Sequence, residues 1–191
     1  MDYLIWEANP AGGYCTLEDL RNVDDSYELT RGVSRSDGFP KEACFTMDAS
    51  HPKEIKLADT IYTLDNLLVI SRQLKEFIES KTPSFIEFLP VTLFNHKGRV
   101  ASKDYFILNP FHLQDCIDKD KSELVWNEID PELISNCFQL IVIPDRIDTS
   151  FLLFRPKYMP TVVMVRRDLA EEIAEKGFTG IDFVELDEFE L

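Results

Sequence analysis

The sequence predicts an α+β protein with a mixed or antiparallel sheet, a few short helices and two similar β-α-β units. Three observations support this fold class: an internal repeat, short apolar runs rich in β-branched residues, and turn signals between those runs. Hydrophobic residues make up 45% of the chain, which provides enough apolar surface for a substantial core. A length of 191 residues fits one domain, or one domain with an appended arm.

The first part of the chain is predicted to form an irregular arm with short strands, residues 1–57, packed on an α+β domain, residues 58–191. Turn-forming sequences such as Asn9-Pro10 and Gly38-Phe39-Pro40 interrupt this region and leave only short apolar runs between them. The arm therefore lacks the periodicity that would predict long elements.

The internal repeat covers residues 66–93 and 161–188. Without gaps, residues 69–91 align with residues 164–186, and such self-similarity indicates one structural unit used twice. The identical positions are Arg72/Arg167, Leu74/Leu169, Glu76/Glu171, Ile78/Ile173, Lys81/Lys176, Ile86/Ile181 and Phe88/Phe183.

Each copy of the repeat begins with a predicted strand and helix. The apolar runs Leu67 to Ile70 and Thr161 to Val165 are short enough to be buried strands. Ser71 is the predicted N-cap of the first helix, and Asp168 with Glu171 is a predicted capping box in the second.

Each copy then ends in a second strand. Pro83 and Gly177 are expected to end the helices, and alternating residues that start at Ile86 and Ile181 predict the strands that follow. The sequence leaves open whether the two strands of a unit pair directly or have another strand between them.

Two hairpins are predicted between the repeat copies. In the first, Val91 to Phe94 returns through Tyr105 to Leu108 around a turn at Gly98. In the second, Phe138 to Ile143 returns through Phe151 to Phe154.

A short helix is predicted to begin at Asn109-Pro110, with Asn as N-cap and Pro at the first helical position. His112 and Cys116 would share one face of that helix, which could begin a zinc site or pair a thiol nucleophile with a base. A zinc site needs more ligands than this pair, and a Cys on an apolar helix face is usually part of the packing. We therefore assign no catalytic, metal or cofactor residues. A small cysteine-dependent enzyme that uses Cys116 and His112 remains an alternative.

The chain is strongly acidic, with 20 Lys and Arg against 35 Asp and Glu and a net charge of −15. Direct binding to nucleic acid is disfavoured, because neutralising phosphates requires clustered cations. One run near the C-terminus is free of basic residues and can be a docking surface for a basic partner or a solvated edge. The predicted partner-binding set consists of the candidate interface residue Trp126 and the acids of this run, which are Asp182, Glu185, Asp187, Glu188 and Glu190.

The expected location is the cytoplasm. The longest apolar runs are far shorter than the ~18 residues that a membrane span needs. The N-terminal residues also lack the basic and apolar regions of a secretory signal. Four widely spaced cysteines with no C-x-x-C pattern are expected to be free, mostly buried thiols.

Three passages resemble a family of bacterial immunity proteins from polymorphic toxin systems, a former domain of unknown function numbered eleven among the immunity families. Together they span about residues 58–186, and the most specific includes a Gly-Phe-Thr-Gly-Ile-Asp-Phe stretch. One position departs from the family pattern, since Arg166 stands where such sequences usually have a Ser like Ser71. The passages are LLVISRQLKEFIE with IEFLPVTL, YFILNPFHLQDCIDKDKSEL, and FLLFRP with VVMVRRDLAEEIAEKGFTGIDF.

The resemblance implies a non-enzymatic protein that binds and neutralises a cognate toxin, commonly a nuclease, without a cofactor. The expected partner is a basic toxin domain, with no direct nucleic acid or membrane contact. The chain itself is expected to be a monomer or weak dimer. A third alternative is a self-associating scaffold module that pairs through an exposed strand edge.

Overall fold

A computed structural model describes residues 3–191 and shows two five-stranded sheets, one two-stranded sheet and two short α-helices. Each five-stranded sheet contains three antiparallel strand pairs and one parallel pair. The predicted α+β class with mixed sheets is therefore confirmed.

The first sheet has its N-terminal strand at an inner position, between two strands from the end of the chain. Antiparallel hydrogen bonds join this strand to both neighbours, and its first four side chains are buried. The spatial order is β12 (Ile181–Val184), β1 (Tyr3–Ala8), β11 (Met164–Arg166), β10 (Leu153–Pro156) and β7 (Leu113–Gln114).

The second sheet is built around the first predicted hairpin, which is confirmed. Its turn is closed by Asn95, whose backbone N–H donates to the Arg99 carbonyl at 2.8 Å. The spatial order is β2 (Cys44–Thr46), β5 (Ile86–Phe94), β6 (Val100–Pro110), β4 (Leu68–Ser71) and β3 (Thr60–Ile61).

Residues 9–57 contain little regular structure beyond β2 and a 3-10 turn at Ser26–Thr30. Their apolar side chains nevertheless belong to a buried cluster with the second sheet. Leu17, Leu29 and Phe45 are fully buried in it. The strand β1 lies before this segment and belongs to the first sheet. The division of the chain at residue 57 stays a prediction.

Helices α1 (Arg72–Glu79) and α2 (Arg167–Glu175) follow β4 and β11. The Ser71 cap is confirmed, because its hydroxyl accepts a hydrogen bond from the Leu74 backbone N–H at 3.3 Å. The capping box is wrong: the N-cap of α2 is Arg166, with no side-chain cap hydrogen bond. Asp168 lies inside the helix, where its carboxylate binds the Arg166 guanidinium at 2.7 Å.

The two aligned segments each run through a strand, a helix and a strand, β4-α1-β5 and β11-α2-β12. The flanking strands do not pair directly. Both β4 and β5 are antiparallel to β6, which lies between them, and both β11 and β12 are antiparallel to β1. In both units the strand between the two flanking strands, β6 in the first and β1 in the second, is not part of the strand-helix-strand segment itself.

The helices join the two sheets through one buried cluster. This cluster contains Leu74 and Ile78 from α1, Leu169 and Ile173 from α2, Leu153 from the first sheet and Leu108 from the second. Burying these side chains removes apolar surface from water, which stabilises the fold by about 25 cal/mol for each Å² buried. The sheets therefore share a core through the helices.

The helix predicted at Asn109-Pro110 is wrong, since β6 continues through Pro110. Asn109 is fully buried, and its side-chain amide donates to the Glu87 carboxylate at 2.7 Å and to the Val33 carbonyl at 2.9 Å. These tertiary hydrogen bonds outweigh the local capping preference, because a buried amide must find partners.

The second predicted hairpin is also wrong, because its two halves pair with different strands. Phe138 lies in β9 (Ile134–Gln139), which pairs with β8 (Glu123–Trp126) in the two-stranded sheet, hereafter the ribbon. The other half, β10, pairs with β11 and β7 in the first sheet. A 3-10 turn at Pro144–Arg146 separates the halves and leads the chain away from the ribbon.

Candidate functional site

The acidic C-terminal residues begin on β12, the edge strand of the first sheet. Asp182 lies directly opposite Glu7 of β1 and accepts a hydrogen bond from the Asn9 amide at 2.7 Å. Partial burial and the facing Asp182 carboxylate raise the pKa of Glu7. Like charges opposite one another destabilise a strand pair, so this edge favours a cationic neighbour.

Glu185 is already engaged within the chain. The Arg167 guanidinium donates to both of its carboxylate oxygens, at 2.8 and 2.6 Å, in the bidentate geometry typical of Arg and carboxylate. This pair fastens the acidic segment to the start of α2. Glu185 thus contributes to the structure of the segment.

The remaining acids of the segment are exposed. Asp187, Glu188 and Glu190 have no ion pair with any residue between 3 and 191. The intervening Phe189 is buried in the core and anchors the segment. These three carboxylates are therefore held at the surface of an ordered segment.

The segment ends beside the ribbon. The Leu191 backbone N–H donates to the Cys137 carbonyl at 2.8 Å, and the Cys137 N–H donates to the Leu191 carbonyl at 2.9 Å. Since Cys137 belongs to β9, these two bonds place Glu190 next to the ribbon that carries Trp126. The end of the acidic segment therefore lies next to β9, whose partner strand β8 carries Trp126.

Trp126 is half-exposed, with 37% of its surface accessible, whereas Trp6 is buried in the core. The indole of Trp126 packs edge-on against the Tyr158 ring at a centroid distance of 5.6 Å. The Lys119 ammonium lies 3.5 Å from the Tyr158 centroid and 5.6 Å from that of Trp126, which are cation–π distances. Trp126 is therefore a fixed, partly accessible aromatic side chain.

The cysteine-dependent enzyme is suggested by a predicted helix that would carry both His112 and Cys116. That prediction is wrong, because the two residues do not share a helix. The His112 imidazole stacks on the Phe151 ring at 3.9 Å. Cys116 is fully buried, and burial raises the pKa of its thiol to about 12. A thiol that stays protonated at neutral pH is a poor nucleophile.

Residues 3–191 also bear on metal binding and membrane insertion. No group of three or more His, Cys, Asp or Glu side chains in this range is placed to hold a metal ion. Neither helix in this range has both the length and the apolar character that crossing a membrane requires. The four cysteines are free and buried, as predicted.

The fold and this surface define a small α+β protein with an ordered acidic C-terminal segment that ends beside the ribbon carrying the half-exposed Trp126. Comparison with protein families gives a more specific class: the chain belongs to the immunity protein family Imm11, whose model matches residues 9–188. The match includes most of the region before residue 58, which the three resembling passages did not cover. No curated protein matches the chain. Family membership indicates immunity against a toxin and a non-enzymatic, inhibitory role.

Proposed function

We propose that this chain neutralises a cognate bacterial toxin by stoichiometric protein–protein contact, and that the toxin is a nuclease with a basic surface. The observation that carries the proposal is the family match over residues 9–188, in a chain whose net charge is −15. Membership in the family supports the toxin as partner, and the charge supports its basic character.

The charge argument follows from the chemistry of nucleases. A protein that acts on nucleic acid presents cations to phosphates, so an acidic inhibitor meets it with complementary potential. Complementarity of this kind mainly raises the association rate and discriminates among partners. The affinity then depends on a few desolvated aromatic or apolar side chains at the centre of the interface.

The proposal places the complex in the cytoplasm with one copy of each protein. Four free, buried thiols support a reducing compartment. The edge strands β2, β3 and β7 are only two or three residues long, and the edge strand β12 carries Asp182. Short or charged edges discourage pairing between chains, which favours a monomer over a scaffold module.

The experiment measures association of this chain with the purified toxic domain encoded beside its gene, between about 50 and 500 mM salt. We expect the on-rate to fall steeply with salt. Replacing Asp187, Glu188 and Glu190 by Asn, Gln and Gln should lower the on-rate ~3–10-fold at low salt, because steering charge is lost.

A matched control removes the same charge elsewhere. Asp24, Asp37 and Glu42 are exposed residues of the segment before the second sheet. Replacing them by Asn, Asn and Gln should change the on-rate less than the tail variant does. An on-rate that ignores ionic strength would contradict the basic character of the partner, and absence of binding would contradict the proposed function itself.

A further inference from the structure

The ribbon has one face in the core and one face in solvent. Leu124, Ile134 and Cys137 pack into the same apolar cluster as Tyr3 and Phe154 of the first sheet. The opposite face carries exposed residues such as Val125 and Phe138, and the ribbon is part of neither five-stranded sheet. The outer face is therefore an ordered surface, because the inner face of the same ribbon packs against the core.

Three large apolar side chains on and beside this face are exposed. The accessible fraction is 45% for Val125, 59% for Phe138 and 95% for Ile129. Phe138 is the extra residue of a β-bulge, since Leu124 pairs with Cys137 and Glu123 pairs with Gln139. Bulges re-aim side chains, and this one presents an aromatic ring to solvent.

The loop that carries Ile129 is held by its own hydrogen bonds. The Asn127 side-chain oxygen accepts from the backbone N–H groups of Ile129 at 2.8 Å and Asp130 at 2.9 Å. The Asp130 carboxylate also pairs with the Arg31 guanidinium at 3.0 Å. An isoleucine fixed in this way remains in water at a free-energy cost that binding to an apolar surface would remove.

Acidic residues flank these apolar groups along the chain. Glu123, Glu128 and Glu132 are exposed, and none of them forms an ion pair within the described chain. Glu190 lies beside the ribbon because Leu191 is hydrogen bonded to Cys137. An apolar centre with a charged rim is the usual organisation of a protein–protein interface.

We propose that the outer face of the ribbon is the surface that contacts the toxin. Val125, Ile129 and Phe138 supply the desolvated anchors, and Glu123, Glu128 and Glu132 pair with basic residues of the toxin domain. This inference rests on the proposed function and specifies where it is carried out.

Charge selects the occupant of this surface. A second copy of the chain would bring the same three glutamates, and the same net charge of −15, against one another. Like charges across an interface oppose association. A basic partner would gain binding free energy both from pairing with the glutamates and from burying the apolar side chains. The toxin domain therefore fits this face better than a second copy.

The test compares two double variants of the full chain in binding to the toxic domain encoded beside its gene. Ile129→Ser with Phe138→Thr removes the anchors, and Leu64→Ser with Val100→Thr is the control. Leu64 and Val100 are 55% and 51% exposed and lie in a turn and a strand outside the ribbon. We expect the ribbon variant to bind at least about 30-fold more weakly, chiefly through faster dissociation, and the control to bind as the wild type does.

Each outcome has a distinct meaning. Equal affinity of the ribbon variant and the wild type for the toxin overturns the surface assignment and leaves the proposed function intact. Failure of the wild type to bind overturns the proposed function. Thermal unfolding of each variant reports folding, and Glu123→Gln with Glu128→Gln and Glu132→Gln provides a second test in which only the on-rate should fall. Loss of a dimer in the ribbon variant on a sizing column would assign this face to self-association and overturn the inference.

Discussion

Arg155 in β10 is the largest side chain that the fold buries completely, with 1% of its surface exposed. Its guanidinium donates to the backbone carbonyls of Pro110 at 2.8 Å, Pro160 at 2.6 Å and Leu29 at 3.1 Å. Burial lowers its pKa to about 10, so the group is still charged at neutral pH. Arg155 therefore links three segments through hydrogen bonds: the end of β6, the loop after β10 and the 3-10 turn at Ser26–Thr30.

Replacing Arg155 by Leu should lower the free energy of unfolding by ~3 kcal/mol or more, because three buried carbonyls lose their donors. Arg155→Lys should cost less, since an ammonium can still reach some of these acceptors. Urea unfolding of the two variants measures both values. A loss below about 0.5 kcal/mol for Arg155→Leu would mean that the carbonyls find other partners.

Local signals identify some of these residues and miss others. The Ser71 cap and the buried cysteines follow from neighbouring sequence and composition, and the structure confirms them. Arg155 gives no such signal, because its acceptors come from three separated segments. Asn109 is a similar case: its partner Glu87 is distant in sequence, and their hydrogen bond replaces the predicted cap.

Among the elements, the turn from α2 to β12 contains two glycines with the same backbone conformation and different surroundings. Gly177 and Gly180 have φ angles of +73° and +74°. A Cβ on Gly177 would meet nothing within 4 Å, whereas one on Gly180 would lie 2.2 Å from the Thr60 carbonyl oxygen. Gly180 thus allows the turn to approach β3 closely.

Gly180→Ala should destabilise the protein by ~3 kcal/mol or more, because a backbone contact between the two sheets must open. Gly177→Ala is the matched control and should cost only ~1–2 kcal/mol, the penalty of a left-handed conformation for alanine. Chemical denaturation of both variants provides the comparison. Equal losses would show that the approach to Thr60 contributes nothing to stability.

Elements with strong local patterns could be predicted, and their pairing partners often could not. The first hairpin is predicted correctly because its strands are joined by a short turn with a Gly. The second is wrong because two apolar segments around a turn look alike whether they pair with each other or with distant strands. The inner position of β1 depends on partners near the opposite end of the chain.

For the whole molecule, the decisive arrangement is the meeting of the acidic segment and the ribbon. The sequence marks the acids and Trp126 as candidates but provides no reason to place the acidic segment beside the ribbon. Two backbone hydrogen bonds between Leu191 and Cys137 place the end of that segment there. The sequence does not mark Phe138 and Ile129 as site residues, because their exposure depends on the bulge and on the loop, neither of which has a clear sequence signal.

Under the proposed function, the molecule inhibits a toxin by direct stoichiometric contact. The most direct measurement titrates this protein against a fixed concentration of the toxic domain encoded beside its gene and follows the activity of that toxin. We expect activity to fall linearly and to vanish at one equivalent, because a tight complex removes one toxin per inhibitor. Full toxin activity in the presence of excess protein, or loss of activity at far less than one equivalent, would contradict the account.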